Sequence, residues 1–480
     1  MPLRHMHVRT ADGEELRAAL RALRAKMDIP GSFPADALAE AEKAAVDPRL
    51  PSLDATDIPL FTIDPPDSTD LDQAMHLARN GSGYRVHYAI ADIGAFLTPG
   101  GALDAEAHRR GTTLYFPDRR VPLHPPVLSE GAASLLPGTI RPALLWRLDL
   151  DSSGEVTDVE VRRALVRSRA KLDYAGTQEA IDSGTAEEPV TLLRTIGTLR
   201  EELERERGGI SLNLPEQEIV ERDGGFALEY RAPLPADGWN AQISLMTGMA
   251  AADLMTYAGI GILRTLPAPH ADAVQRLERV ARALNVDWAV GTPYTDVVRS
   301  LNPSRANHAA FMQECATLLR GAGYAVFPNG SERPAWHAAV ADAYAHCTAP
   351  LRRLVDRFTG EICVAACAGI EVPEWVRADL AGLPKIMESA DRRAGQVERG
   401  CVELVEAAVL ADRVGEVFDA VVVDVREKEP TVGTVQLHEP AVIARVESPP
   451  GSPGLPLGRR LRVRLTEADP ARPKVLFAPA

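Results

Sequence analysis

Two adjacent prolines, Pro65 and Pro66, decide what the segment around them can become. Each lacks a backbone donor and holds φ near one value. No helix can run through them, and the stretch reads as a loop leaving a short strand at Pro59 to Ile63. The loop is acidic: Asp64, Asp67, Asp70 and Asp72 fall within nine positions. Crowded carboxylates raise one another's pKa, which is unfavourable unless a cation sits among them. A hard divalent metal is the natural partner, and oxygen-only ligands suit magnesium or manganese better than zinc. A solvated Asp-rich turn is the plain structural alternative. A calcium loop of the EF-hand kind fails, because counting from Asp64 the positions that need glycine and glutamate hold Thr69 and Met75.

At 480 residues the chain is too long for one ordinary core, so several domains are expected. A hydrophobic share of 45% and a charged share of 25% are globular values, which excludes a disordered chain. No apolar run approaches the length that spans a bilayer, and Met1 to His5 opens no signal-peptide core, so a cytoplasmic protein with no membrane contact is expected. The five cysteines are widely spread without a Cys-x-x-Cys pair, and read as buried thiols. A net charge of −14 argues against a surface that coats nucleic acid, but it leaves room for a narrow basic channel. Arginines are bunched at Arg109-Arg110, Arg119-Arg120, Arg162-Arg163 with Arg167, Arg169 and Lys171, Arg352-Arg353, Arg392-Arg393, and Arg459-Arg460 with Arg462 and Arg464. Their recurrence fits phosphate contacts.

The run from Thr62 through Asp64-Pro65-Pro66-Asp67-Ser68-Thr69-Asp70-Leu71-Asp72-Gln73 to Ala74 resembles the acidic motif of the ribonuclease II family, whose catalytic domain hydrolyses RNA from the 3′ end. Family members usually carry Asp-Asp where this chain has Asp72-Gln73. The resemblance implies a metal site of Asp64, Asp70, Asp72 and Gln73, with an amide oxygen in place of one charge. A second block, Tyr344-Ala345-His346-Cys347-Thr348-Ala349-Pro350-Leu351-Arg352-Arg353-Leu354-Val355-Asp356, resembles the family's Tyr-x-His-x-Thr-Ser-Pro-Ile-Arg-Arg-Tyr-x-Asp, with Ala349 for Ser and Leu354 for Tyr.

Pro350 suits a first helical turn, so Leu351 to Ile370 is expected to be a helix whose N-terminus faces phosphate. Arg352 is the candidate for stabilising transition-state charge, since a guanidinium keeps its proton. His337, Tyr344, Thr348 and Arg353 are candidate substrate contacts, although His337 and His346 also read as hydrogen-bonded core histidines and Arg353 as a structural contact. The resemblance adds Tyr115, packing on bases near the 3′ end, and Tyr174, touching the sugar where a 2′-hydroxyl can be sensed. Leu212 stands where many relatives stack an aromatic on the terminal base, so that grip is expected to be looser. The family's paired glutamates fall near Gln242 and Ile243.

The expected fold class is α+β and multidomain. Residues 1–50 would form a small helical module, from helices at Asp12 to Met27 and Pro34 to Val46. It reads as either a helix-turn-helix-like RNA contact or a brace, and about fifty residues cannot hold the two cold-shock barrels of larger relatives. Residues 51–411 would form a mixed α/β catalytic domain of the ribonuclease II (RNB) type, with a strand at Tyr84 to Ile93 and a long helix at Lys385 to Leu410. Residues 412–480 would form a five-stranded barrel of the oligonucleotide-binding, S1 kind.

The resemblance implies a processive, hydrolytic 3′-to-5′ exoribonuclease acting on single-stranded RNA as a monomer and releasing nucleoside 5′-monophosphates, with two magnesium ions about 4 Å apart and manganese as a substitute. DNA is not expected as a substrate. Structured RNA is a further expectation, since a site without barrels at its entry would be more open. The residues alone reach only metal-assisted phosphodiester hydrolysis. The alternative is an RNA-binding protein of the same fold whose catalysis is weakened or lost through Gln73.

Overall fold

The computed structural model describes residues 14–211, 216–222, 225–231, 233–302, 305–319, 321–327, 336–426, 428–437, 440–449, 451–470 and 474–480. Its centre is a closed five-stranded barrel of Leu60–Ile63, Gln73–Asn80, Gly83–Ala91, Ile140–Leu150 and Val156–Leu172. In Gly83–Ala91 the β-formers Val86, Tyr88 and Ile90 point inward and are fully buried, as alternation requires of a strand with one face in the core. They meet Phe61, Met75 and Trp146 inside the barrel. Gly83 is required by close approach, because a Cβ there would lie 1.9 Å from the Leu150 carbonyl oxygen. The strand ends at Ala91, two residues earlier than the sequence suggests. Asp92 turns away to receive Arg163 Nε at 2.8 Å, and a short 3₁₀ turn, Ile93–Ala95, follows.

Leu60–Ile63 pairs antiparallel with Gln73–Asn80, with Phe61 opposite Met75, and parallel with the end of Val156–Leu172, which closes the barrel. The acidic loop is therefore the connection between two adjacent strands, and all its carboxylates are gathered at one mouth of the barrel. Lys171 Nζ ties the loop down by donating to the carbonyls of Pro66 and Ser68.

The helix Pro235–Ala258 is buried along much of its length and packs on Leu354–Ala368. The helix expected from Leu351 starts instead at Leu354, and Pro350 precedes it in a turn. The reason is pairing: Arg353 is extended at φ −132° and bridges Thr112, while Thr113 N–H donates to the Arg352 carbonyl and Leu354 N–H to the Gly111 carbonyl, each at 3.0 Å. Residues 350–352 thus form a turn, in which the Ala349 carbonyl accepts the N–H groups of Arg352 and Arg353, and only Arg353 leaves it extended.

Of the N-terminal segment, helices Glu14–Lys26 and Ala35–Val46 are described, while Asp12 and Gly13 lie outside the described residues. Leu16 and Leu20 are buried in one cluster with Val397, Cys401 and Leu404 of the long helix Leu383–Leu410, and Arg24 grips Asp118 with two bonds of 2.6 and 2.8 Å. The first helix packs on the larger body through these contacts. At the C-terminal end, strands Val417–Arg426, Glu429–Leu437, Ile443–Glu447, Arg460–Asp469 and Lys474–Pro479 close a second five-stranded barrel around Val422, Val435, Val463, Leu465 and Phe477. The mixed α/β body and this small barrel are the architecture expected from sequence. All five cysteines are free thiols, four of them buried. No helix among the described residues is long and apolar enough to cross a membrane.

Candidate active site

The acidic loop and the segment before Leu354 meet at the barrel mouth. Asp72 is 5% exposed, its Oδ1 accepts the Leu351 N–H at 2.8 Å, and its Oδ2 lies 3.5 Å from Arg352 Nε. Burial pushes the Asp72 carboxyl up to about 8, against the opposing pull of Arg352 and the Leu351 N–H. Asp64 leaves the first strand with its N–H on the Leu172 carbonyl. Burial pushes its carboxyl up to about 6, with Arg352 and Lys171 lowering it and Asp70 raising it. Asp70 forms an ion pair with Arg120, which comes from the short hairpin of Leu114–Tyr115 and Arg120–Val121. Gln73 donates its amide N–H to the Thr348 carbonyl, and Thr348 Oγ1 lies 2.8 Å from Ser244 Oγ.

Tyr115 stands near Arg352, Asp70 and Asp72, and burial pushes its phenol up to about 12. Tyr174, the first residue of helix Tyr174–Ser183, feels the charge of Asp64, and Asn240 Nδ2 donates to its hydroxyl at 3.1 Å. The structure thus gathers Asp64, Asp70, Asp72, Gln73, Tyr115, Tyr174, Thr348 and Arg352.

Three expected substrate contacts are placed differently. Arg353 donates from Nε and Nη2 to both oxygens of Asp356, at 2.8 and 2.7 Å, and Asp356 also receives the Ala349 N–H. Its guanidinium is committed to a buried carboxylate and holds the segment that presents Arg352. His337 and Tyr344 belong to a buried aromatic cluster with Tyr324 and His346, and Tyr324 Oη lies 2.8 Å from His346 Nδ1. This is the core-histidine reading of His337. Tyr344 packs so tightly on the helix Pro235–Ala258 that a Cβ at Gly248 would lie 2.2 Å from its ring. Leu212 lies outside the described residues. Gln242 and Ile243 face the core, Gln242 bonding Glu204, and the residue of that stretch that reaches the site is Ser244.

Sequence reasoning missed Arg120 as an individual, along with Ser244 and Asn240. Arg120 is visible in the sequence only as half of an arginine pair, and its partner Asp70 is fifty positions away.

The donor set around the loop is hard oxygen, and two of its carboxyls are pushed toward their neutral forms by burial and mutual charge. A divalent cation would offset both effects, so the residues suit magnesium or manganese. Among the described residues no three His, Cys, Asp or Glu side chains stand ready as a metal-binding group. Asp70 is turned to Arg120 and one Asp72 oxygen to a backbone N–H.

Comparison with known proteins agrees with this layout. Residues 53–366 match the RNB domain, and residues 416–480 match the RNase II-type exonuclease C-terminal S1 domain. Ribonuclease R 1 of Lactococcus lactis is 26% identical over 428 residues, covering 84% of this chain and 51% of that protein. The human exosome complex exonuclease RRP44 is 27% identical over 359 residues, covering 72% of this chain and 37% of that protein. The chain spans about half the length of the first curated relatives it matches. Among solved structures, RNase R of Mycoplasma genitalium in complex with ribose methylated single-stranded RNA superposes with a TM-score of 0.85 at 17% identity, over 97% of this chain and 78% of that one. Yeast Ssd1, described as a pseudonuclease, superposes with a TM-score of 0.66 at 17% identity, over 84% of this chain and 51% of that one.

Proposed function

The chain belongs to the RNB family, and from that premise we propose that it is a magnesium-dependent, hydrolytic 3′-to-5′ exoribonuclease on single-stranded RNA, releasing nucleoside 5′-monophosphates. The observation that carries the reading is the convergence of Asp72 and Arg352 at the barrel mouth beside Asp64 and Asp70. Asp64, Asp70, Asp72 and the amide oxygen of Gln73 would hold magnesium, which supplies Lewis acidity for attack of water on phosphorus and departure of the 3′ oxygen. Arg352, with 25% of its side chain exposed, keeps its proton and can bear on charge that develops on the phosphoryl oxygens. Leu351 N–H fixes the Asp72 carboxylate, so its second oxygen is presented in one direction. Tyr115 offers a ring to a base near the 3′ end. The Tyr174 hydroxyl, placed by Asn240, can sense a 2′-hydroxyl and so prefer RNA to DNA.

A second reading rests on Gln73. Its amide is engaged by Thr348 and supplies no charge, so the same fold could bind RNA without cutting it. Incubating a 5′-labelled single-stranded RNA with protein and magnesium, beside the DNA of the same sequence and a magnesium-free control, separates the two. A metal-dependent ladder on RNA alone supports the nuclease. Intact RNA that shifts in a binding gel supports the binding protein.

A further inference from the structure

We propose that Arg120 is a built-in counter-cation of the carboxylate site, which exchanges Asp70 for an RNA phosphate when a divalent cation arrives and so couples metal binding to RNA binding. The inference deepens the nuclease reading and rests on its site assignment. Arg120 Nη1 pairs with Asp70 Oδ1, and its Nη2 donates to Thr69 Oγ1 at 3.3 Å. Of this carboxylate and Asp72, the one more open to a metal is therefore the one a guanidinium already holds, since the Asp70 side chain is 16% exposed against 6% for Asp72.

Charge balance points the same way. With a divalent cation among them to favour ionisation, Asp64, Asp70 and Asp72 face Lys171, Arg120 and Arg352, and the Glu130 carboxylate also acts on Arg120. A divalent ion entering this set leaves an excess of positive charge. RNA phosphodiesters, one negative charge each, restore the balance, so each ligand favours the other. Arg120 is the cation suited to move. Arg352 is held through its carbonyl, which accepts from the Thr113 N–H and Thr112 Oγ1, and Lys171 by two loop carbonyls, whereas Arg120 opens the two-residue strand Arg120–Val121 of a short hairpin and its side chain is 29% exposed. It pairs across the hairpin with Tyr115, the residue proposed to lie against the RNA, so a guanidinium leaving Asp70 is on the substrate side of the hairpin. It does not titrate in the working range, so only ligands drive the exchange.

The test needs no hydrolysis. Manganese is titrated calorimetrically into RNA-free wild type and Arg120→Gln. Removing the competing guanidinium should tighten manganese binding about fivefold, the scale of a partly exposed ion pair, while Arg120→Lys stays near wild type. Single-stranded RNA binding is then measured by anisotropy in EDTA. Arg120→Gln should leave it unchanged, because without metal Arg120 is on Asp70. Asp70→Asn should raise it by freeing Arg120, and adding Arg120→Gln to that variant should cancel the gain. Unchanged or weaker manganese binding in Arg120→Gln overturns the proposal, as does a loss of RNA affinity in EDTA. A protein that cuts no RNA still yields every one of these numbers, so failure of the nuclease reading is distinguishable. Absence of manganese binding in both proteins removes the site assignment together with the exchange.

Discussion

The backbone N–H of Leu351 donates to Asp72 Oδ1 at 2.8 Å, joining residues 279 positions apart, and the next residue brings its guanidinium to the other oxygen. One carboxylate is thus oriented and charge-paired by a single turn of chain. Asp72→Asn keeps an acceptor for that N–H and the same volume but removes the charge. Burial already favours the neutral form of Asp72, so the variant should melt at or above the wild-type temperature. RNA hydrolysis with magnesium should fall by about 10² or more, the scale of losing one preorganised charge contact. Wild-type hydrolysis in this variant would remove Asp72 from the site.

Gln73→Asp tests the substituted ligand position. The amide N–H now satisfies the Thr348 carbonyl, and an aspartate cannot donate to it. The variant should therefore be less stable without metal by about 1–3 kcal/mol, the cost of an unpaired buried acceptor beside an added charge. Manganese should bind more tightly, and saturating metal should close the gap in melting temperature. A gap that magnesium leaves untouched would mean that residue 73 does not face the cation.

Much of this site was legible because its chemistry is local in sequence. The two prolines forbid a helix, the carboxylates are crowded, and alternation in residues 84–90 marks a strand. Where reading failed, the deciding partner was distant. Pro350 before Leu351 looks like a helix start until residues 111–113 pair with 352–354, and a sequence does not show which edge a segment will find. Arg353 reads like a phosphate ligand because it stands beside Arg352. Its neighbour Asp356, three residues on, takes both its donors once the helix forms. Arg120 was invisible as a site residue because only barrel closure brings its hairpin over the loop.

His124 gives a pH signature. It is 2% exposed, it bonds the Pro350 backbone, and burial beside Arg357 pushes its pKa down to about 3. The unfolded chain takes up this proton as pH falls through about 6.5, whereas the folded protein does not until far lower. Its contribution is complete above the unfolded value and is lost as pH falls. The stability difference between wild type and His124→Gln should shrink below about pH 6.5, by about 1.4 kcal/mol per pH unit at most. Urea unfolding of both proteins from pH 7.5 to 4.5 measures it. Parallel stability curves would place His124 outside the folded core.

Arg353 separates a structural role from substrate binding. Asp356 is 1% exposed and receives two guanidinium bonds and the Ala349 N–H. Arg353→Met leaves that carboxylate buried with only a backbone donor, which should cost about 3–5 kcal/mol. Adding Asp356→Leu removes the stranded charge and should recover part of the loss, though not all, because the Ala349 N–H then has no acceptor. RNA affinity in EDTA, measured below the variant's melting temperature, should stay near wild type, since the guanidinium faces Asp356 and not the barrel mouth. The opposite pattern, an unchanged melting temperature with weakened RNA binding, would return Arg353 to the substrate. Asp356 ties Arg353 to the Ala349 N–H across the turn of residues 350–352, and that turn carries both the Leu351 N–H and Arg352. A folded Arg353→Met protein should therefore lose hydrolysis more than binding, as a displaced Arg352 would require.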